Sequence, residues 1–149
     1  MKAVVQRVSH SKVTVGGTLV GEIGNGVLVL LGVTHDDDNK DADYLVDKIV
    51  GLRIFDDGNG KMNLSLAEVD GEMLVVSQFT LLADTRRGRR PSFMGAASGD
   101  DALRWYKYFV AKARETVKKV ACGAFGEMMD VELVNDGPVT IILDSKKTI

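Results

Sequence analysis

The sequence predicts an α+β domain, a mostly antiparallel sheet or partial β-barrel carrying two main helices. Three observations lead there. Short apolar runs punctuated by glycine crowd both ends of the chain, only two stretches carry helical apolar spacing, and no βαβα alternation or internal repeat is visible. A length of 149 residues with 45% hydrophobic content suits one domain, 1–149, with a sizeable core.

Ala3 to Val8 is the first apolar run, Lys12-Val13-Thr14-Val15 alternates, and Gly16-Gly17 signals a hairpin into Thr18 to Ile23. After Gly24-Asn25-Gly26, the run Val27 to Val33 is apolar on both faces, the mark of a central strand. A helix follows over about Asn39 to Val50, with Ala42, Leu45, Val46 and Ile49 on one face. Asp36-Asp37-Asp38 before it reads as a solvated start that suits the positive helix end, in preference to a metal site.

Arg53-Ile54-Phe55 is a short strand, Asp56 to Gly60 a loop, and Met62 to Leu66 extended. The loop superficially resembles a calcium loop, but Ala67 stands where the twelfth-position glutamate belongs. Leu74-Val75-Val76 is a buried strand running straight into Ser77-Gln78-Phe79-Thr80-Leu81. Residues 83–99 form a long irregular loop, of a length that tends to carry function. Ser98-x-x-Asp101 resembles a capping box for a helix over about Asp100 to Val120. Its stripe is Leu103, Tyr106, Val110, Ala113 and Val117, with Trp105 and Phe109 alongside. Gly123 and Gly126 then break the chain, and Met129 to Val134 and Val139 to Leu143 return to the sheet.

Composition removes several classes of function. A single cysteine, Cys122, excludes an internal disulfide, and with only His10 and His35 to help it makes no structural zinc site. No metal or cofactor is expected. The N-terminus is too short and too quickly charged for a signal peptide, and no apolar run approaches the ~20 residues of a membrane span. A cytoplasmic protein with no membrane partner is the expectation. Net charge of −2 argues against general affinity for DNA or RNA, so an RNA contact must come from a local patch.

Chemistry concentrates in four places. Ser77-Gln78-Phe79-Thr80, at the end of a buried strand, offers hydroxyls, an amide and main-chain N–H groups for a developing oxyanion. A nucleophilic serine or threonine needs a base, and neither histidine lies in a recognisable motif, so a hydrolase triad is poorly supported. An ordinary strand-to-loop transition is the plain alternative. Arg86, Arg87, Arg89 and Arg90 around Gly88 form either a phosphate clamp or a solvated loop, with Pro91 and Phe93 directly after. Phe125, Met128 and Met129 line an adenine-sized pocket or simply pack. Finally, Asn135-Asp136-Gly137-Pro138-Val139-Thr140 ends one strand and begins another. It is either a trans turn, the isomer of all but about 5–6% of X–Pro bonds, or a rigid loop that recognises with its carbonyls.

These segments together resemble the D-aminoacyl-tRNA deacylase family. The likeness runs through Met1 to Val8, Leu52 to Phe55, Val76 to Leu81, Arg90 to Phe93, Phe125-Gly126 and Met129 to Thr140, nearly the whole chain. It implies a homodimer with active sites at the subunit interface. The implied reaction hydrolyses the ester between a D-amino acid, or mischarged glycine, and the terminal adenosine of tRNA. Ser77, Gln78, Phe79 and Thr80 would frame that ester. Gly137 and Pro138, joined by a cis bond and helped by Arg7, would reject L-residues by presenting carbonyl oxygens to the chiral centre. Phe125 and Met129 fall at the adenosine, and the 2′-hydroxyl of the terminal ribose competes with Thr80 for the key chemical role. The chain departs from the family in its loop before Pro91, where Arg87-Gly88-Arg89-Arg90 replaces lysine, glycine and asparagine. His10 and Glu127 stand where small residues are common. A non-catalytic RNA-end binder and a generic Thr80 or Ser77 hydrolase are the competing classes. The intact segments oppose the first and the missing triad the second.

Overall fold

One 14-residue strand, β1 (Lys2–Val15), organises the sheet of the computed structural model, which describes residues 1–149. A strand has two edges, and β1 uses both along most of its length. One edge pairs antiparallel with β8 (Asp130–Asp144) from Lys2↔Asp144 to Thr14↔Asp130. The other is shared by β3 (Gly26–Gly32), opposite residues 2–8, and β2 (Thr18–Ile23), opposite residues 11–15. The two runs expected at either end of residues 3–15 are thus one strand. The long partner pairs with His10 and Ser11, and the buried Ser11 hydroxyl donates to the Glu132 carbonyl at 2.8 Å. By the same pairing, 131–134 and 139–143 are one strand, with the Gly137-Pro138 step bulging out of its middle.

The sheet is mixed. β3 pairs parallel with β6 (Glu72–Ser77), and β6 pairs parallel with β7 (Val120–Cys122). Two crossovers connect these strands. The first runs through α1 (Asn39–Gly51) and a small ribbon of β4 (Phe55–Asp56) and β5 (Met62–Leu64); the second runs through α2 (Gly99–Arg114). The expectation of no strand–helix alternation is corrected here, because β7 is only three residues long and carries no strand pattern of its own. The helix expected to reach Val120 ends at Arg114, and the pairing Met73↔Val120, Leu74↔Ala121 and Val75↔Cys122 makes residues 120–122 a strand. At the open ends of the sheet, Gly21 of β2 passes so close to the Cys122 carbonyl that any side chain there would strike it, which leaves the sheet nearly closed.

Both faces of the central strands are buried. Val27, Val29 and Leu31 of β3 join Met73 and Val75 of β6 beneath the helices, packed on Leu45, Ile49, Phe109 and Val110. Leu28, Leu74 and Val76 point the other way, with Val8, Val13 and Ile23, into a second apolar cluster. Each fully buried side chain of this size contributes roughly 1.5–3 kcal/mol. On α1, Ala42, Leu45, Val46 and Ile49 are the buried face, and the helix begins with a reciprocal capping box between Asp38 and Asp41. The acidic triplet is only partly solvated, because Asp37 is buried against the Met1 amino group at 2.7 Å. Ser98 occupies the cap position of α2, but its side chain makes no capping bond. No helix is long and apolar enough to cross a membrane.

Candidate active site

Parallel strands and a helix N-terminus converge on one crevice of about 540 Å³. Ligand sites in sheets of this kind open at the carboxyl ends of the strands, and this crevice lies where β6 and β7 end. One wall is Val76, Ser77, Gln78 and Phe79; the other is the β7–β8 connection, with Phe125, Glu127 and Met129; Gly99 and Ala102 of α2 complete it. The structure therefore brings Ser77, Gln78 and Phe79 together with Phe125 and Met129, residues some fifty positions apart.

The strand ends at Ser77, as the sequence implied. Phe79–Leu82 forms a 3-10 turn, tied back to β3 where the Gln78 N–H donates to the Leu31 carbonyl at 2.8 Å. Thr80 is exposed, and its hydroxyl oxygen accepts from the Gln78 amide at 2.5 Å. No histidine serves either hydroxyl. His10 is exposed on β1 opposite Val134, and His35 bonds the Met94 carbonyl. Tyr106, beneath the crevice, is held by its hydroxyl on the Val75 carbonyl at 2.7 Å and packs on Phe125 at 5.7 Å. Burial, with the Cys122 thiol beside it, pushes the phenol strongly upward, so it stays a proton donor at neutral pH.

The Gly137–Pro138 peptide is cis and exposed, and neither residue lines the crevice of its own chain. Between Gln6↔Thr140 and Val8↔Asn135, four residues of β8 face the single residue Arg7. That guanidinium is buried and reaches into the bulge, donating from Nε to the Asp136 carbonyl at 3.0 Å and from Nη1 to the Ile54 carbonyl at 2.7 Å. Asn135 closes the bulge from inside: its side-chain oxygen accepts from the Val139 N–H, and its amide donates to the Thr140 hydroxyl, both at 3.0 Å. Gly137 has φ +133, and a Cβ there would sit 2.9 Å from Val139 Cγ2 and 3.0 Å from Arg7 Nη2. Only glycine fits without strain.

The basic loop is pinned at its base by the Asp84↔Ser92 bridge, and Phe93 packs edge-to-face on Phe79 at 5.0 Å. Phe93 is thus an anchor between this loop and the 3-10 turn. Arg86 is already engaged, bidentate on Asp84 at 2.9 and 2.8 Å, and its side chain holds that carboxyl down at about 2. Arg87 and Arg90 line a polar concavity of about 460 Å³ together with Ser92 and the paired Asp84 and Arg86; Arg89 and the exposed Pro91 lie outside it. Sequence reasoning overlooked the small residues Ala97, Gly99 and Ala102, whose one signal was their clustering at the start of a helix. It also overlooked the Asp136 and Ile54 carbonyls, which carry no side-chain signal at all.

Solved structures define the class of protein first. The chain superposes on a probable eukaryotic D-amino acid tRNA deacylase at TM-score 0.83, covering 96% of this chain and 98% of that one, so it has the deacylase fold, at 18% identity. It also superposes on the c-Myc DNA Unwinding Element Binding Protein at TM-score 0.92 with 42% identity, over 97% and 98% of the two chains. Among curated proteins it is 58% identical to the D-aminoacyl-tRNA deacylase of Caldicellulosiruptor saccharolyticus over 147 residues, 99% of each chain. It is 59% identical to that of Clostridioides difficile over 148 residues, again 99% of each. Residues 4–144 match the family described as D-Tyr-tRNA(Tyr) deacylase, and the chain belongs to that family. Its members are hydrolases of the ester bond of aminoacyl-tRNA.

Proposed function

We propose that the protein proofreads chirality in the cytoplasm, hydrolysing D-aminoacyl-tRNA, and glycine mischarged on tRNA, while sparing L-aminoacyl-tRNA. The observation that carries this reading is the crevice shared by Ser77, Gln78 and Phe79 with Phe125 and Met129. It offers polar groups for an ester on one wall and aromatic and thioether surface for a nucleobase on the other.

The chiral filter is Gly137-Pro138, delivered by a second copy of the chain. Both residues are exposed, braced by Arg7 and Asn135, and absent from the crevice of their own subunit. A homodimer completes the site, and edge strand β8, with Val134 and Ile142 exposed, offers apolar surface for it. A D-residue turns hydrogen toward the two carbonyls, whereas an L-residue drives its side chain into them. Such rejection ignores side-chain identity, and each tenfold of discrimination requires about 1.4 kcal/mol.

With no base at Ser77 or Thr80, the 2′-hydroxyl of the terminal ribose assists attack on the ester, and the main-chain amides of residues 77–80 receive the oxyanion. Arg87 and Arg90 hold RNA phosphate, with Arg86, Arg89 and Pro91 at the margin of that contact. The name of one structural neighbour raises DNA as a ligand. This reading opposes it, since a net charge of −2 leaves one short cationic loop, suited to an RNA end. Parallel deacylation assays on D- and L-tyrosyl-tRNA decide the matter: loss of the D-ester alone is expected, and equal rates on both, or none on either, end the proposal.

A further inference from the structure

The crevice is lined by one ionisable side chain, Glu127. The hydrogen bond that Glu127 makes runs from its backbone N–H to the Ala124 carbonyl, and the glutamates engaged in ion pairs are Glu72, Glu115 and Glu132. A carboxylate at neutral pH accepts hydrogen bonds and offers none. A ligand filling an otherwise uncharged crevice therefore meets this group best with a donor of its own.

Position along the chain says which donor. Glu127 lies two residues from Phe125 and two from Met129, on the wall whose aromatic and thioether surface suits a flat ring; the polar groups for the ester, Ser77 and Gln78, are on the other wall, at and just past the end of β6. The donor that a purine carries at its rim is an exocyclic amine, and carboxylates accept from the exocyclic amines of bases. We propose that Glu127 is a specificity-determining residue that accepts a hydrogen bond from the 6-amino group of the terminal adenine. This rests on reading the crevice as the aminoacyl-adenosine site.

The test compares kcat/KM on two D-tyrosyl RNAs, one ending in adenosine and one in purine riboside, which has hydrogen in place of the amine. Wild type prefers adenosine by about tenfold, the range of one partly exposed hydrogen bond to a charged group. Glu127→Ala loses about tenfold on adenosine and shows no preference between the two RNAs, so the two changes are not additive. Glu127→Gln keeps an acceptor oxygen and retains the preference. An unchanged urea midpoint for both variants separates these effects from folding. Equal wild-type rates on the two RNAs overturn the proposal. So does a Glu127→Ala cost that is the same on both, which would assign the carboxylate to the substrate's ammonium or ribose. Wild type inert toward both D-tyrosyl RNAs overturns this inference together with the function it rests on.

Discussion

Arg7 Nε and the Asp136 carbonyl meet at 3.0 Å, on a side chain that is only 9% exposed. The same side chain reaches the Ile54 carbonyl at 2.7 Å and stands 3.5 Å from the Asp56 carboxylate. One planar cation thus joins the β8 bulge to the approach of β4. A guanidinium can serve both carbonyls at once because its donors point in fixed, different directions.

Arg7→Ala leaves both carbonyls without that donor and should destabilise the protein by about 1–3 kcal/mol in urea unfolding. Deacylation should fall by up to about a hundredfold as the Gly137-Pro138 turn loses its brace. Arg7→Lys should restore little of either, since one ammonium cannot span the two acceptors. Full rescue by lysine would show that charge alone matters.

Thr80 accepts from Gln78 and has no base beside it. Thr80→Ala should therefore keep turnover within about tenfold of wild type, whereas a 2′-deoxy terminal adenosine should lower it by about a hundredfold or more. Single-turnover rates on the two substrates make the comparison. The opposite ordering would make Thr80 the nucleophile.

The arginines of the basic loop are not equivalent. Removing Arg87 or Arg90 should each flatten the salt dependence of tRNA binding by about 0.7 in log–log slope, the value for a single-stranded phosphate contact. Arg86→Ala should flatten it less, because Asp84 already neutralises that guanidinium; Asp84→Ala should steepen it by freeing Arg86. Wild-type slopes in all four variants would remove the loop from the RNA contact.

Acid should loosen the tie between α1 and the end of the chain. Burial opposes ionisation of Asp41, but hydrogen bonds from the Ser145 hydroxyl, the Asp38 N–H and the Lys146 ammonium outweigh it and hold the carboxyl at about 2, below its ordinary 3.8. A depressed carboxyl contributes stability that is complete above 3.8 and disappears as pH falls through about 2. Urea midpoints measured from pH 5 to pH 2 should fall less steeply for Asp41→Asn than for wild type. Parallel curves would place the acid sensitivity elsewhere.

Much of this molecule could be read from residues near one another in sequence. Ala42, Leu45, Val46 and Ile49 declare a helix face by spacing alone, and Val27 to Leu31 declare a strand buried on both sides. Ser77 to Thr80 and Asn135 to Thr140 carry their identity as contiguous segments. Such signals are local because hydrophobic partition and turn chemistry act on each side chain where it stands.

Strand direction, the merging of short runs into β1 and β8, and the formation of a strand at residues 120–122, with the helix before it ending at Arg114, were decided only by tertiary pairing. Hydrogen bonds between distant backbones, as in Met73↔Val120, favour one partner over another and leave no mark on side-chain order. The same holds at the site. Sequence supplied Arg86 as one of four cations, but folding committed it to Asp84. Sequence marked Glu127 as standing where the family commonly has a small residue, and folding made it the one charge in the crevice. The residue types that can do the chemistry belong to the sequence; which of them face one another is set by long-range packing that no local pattern records.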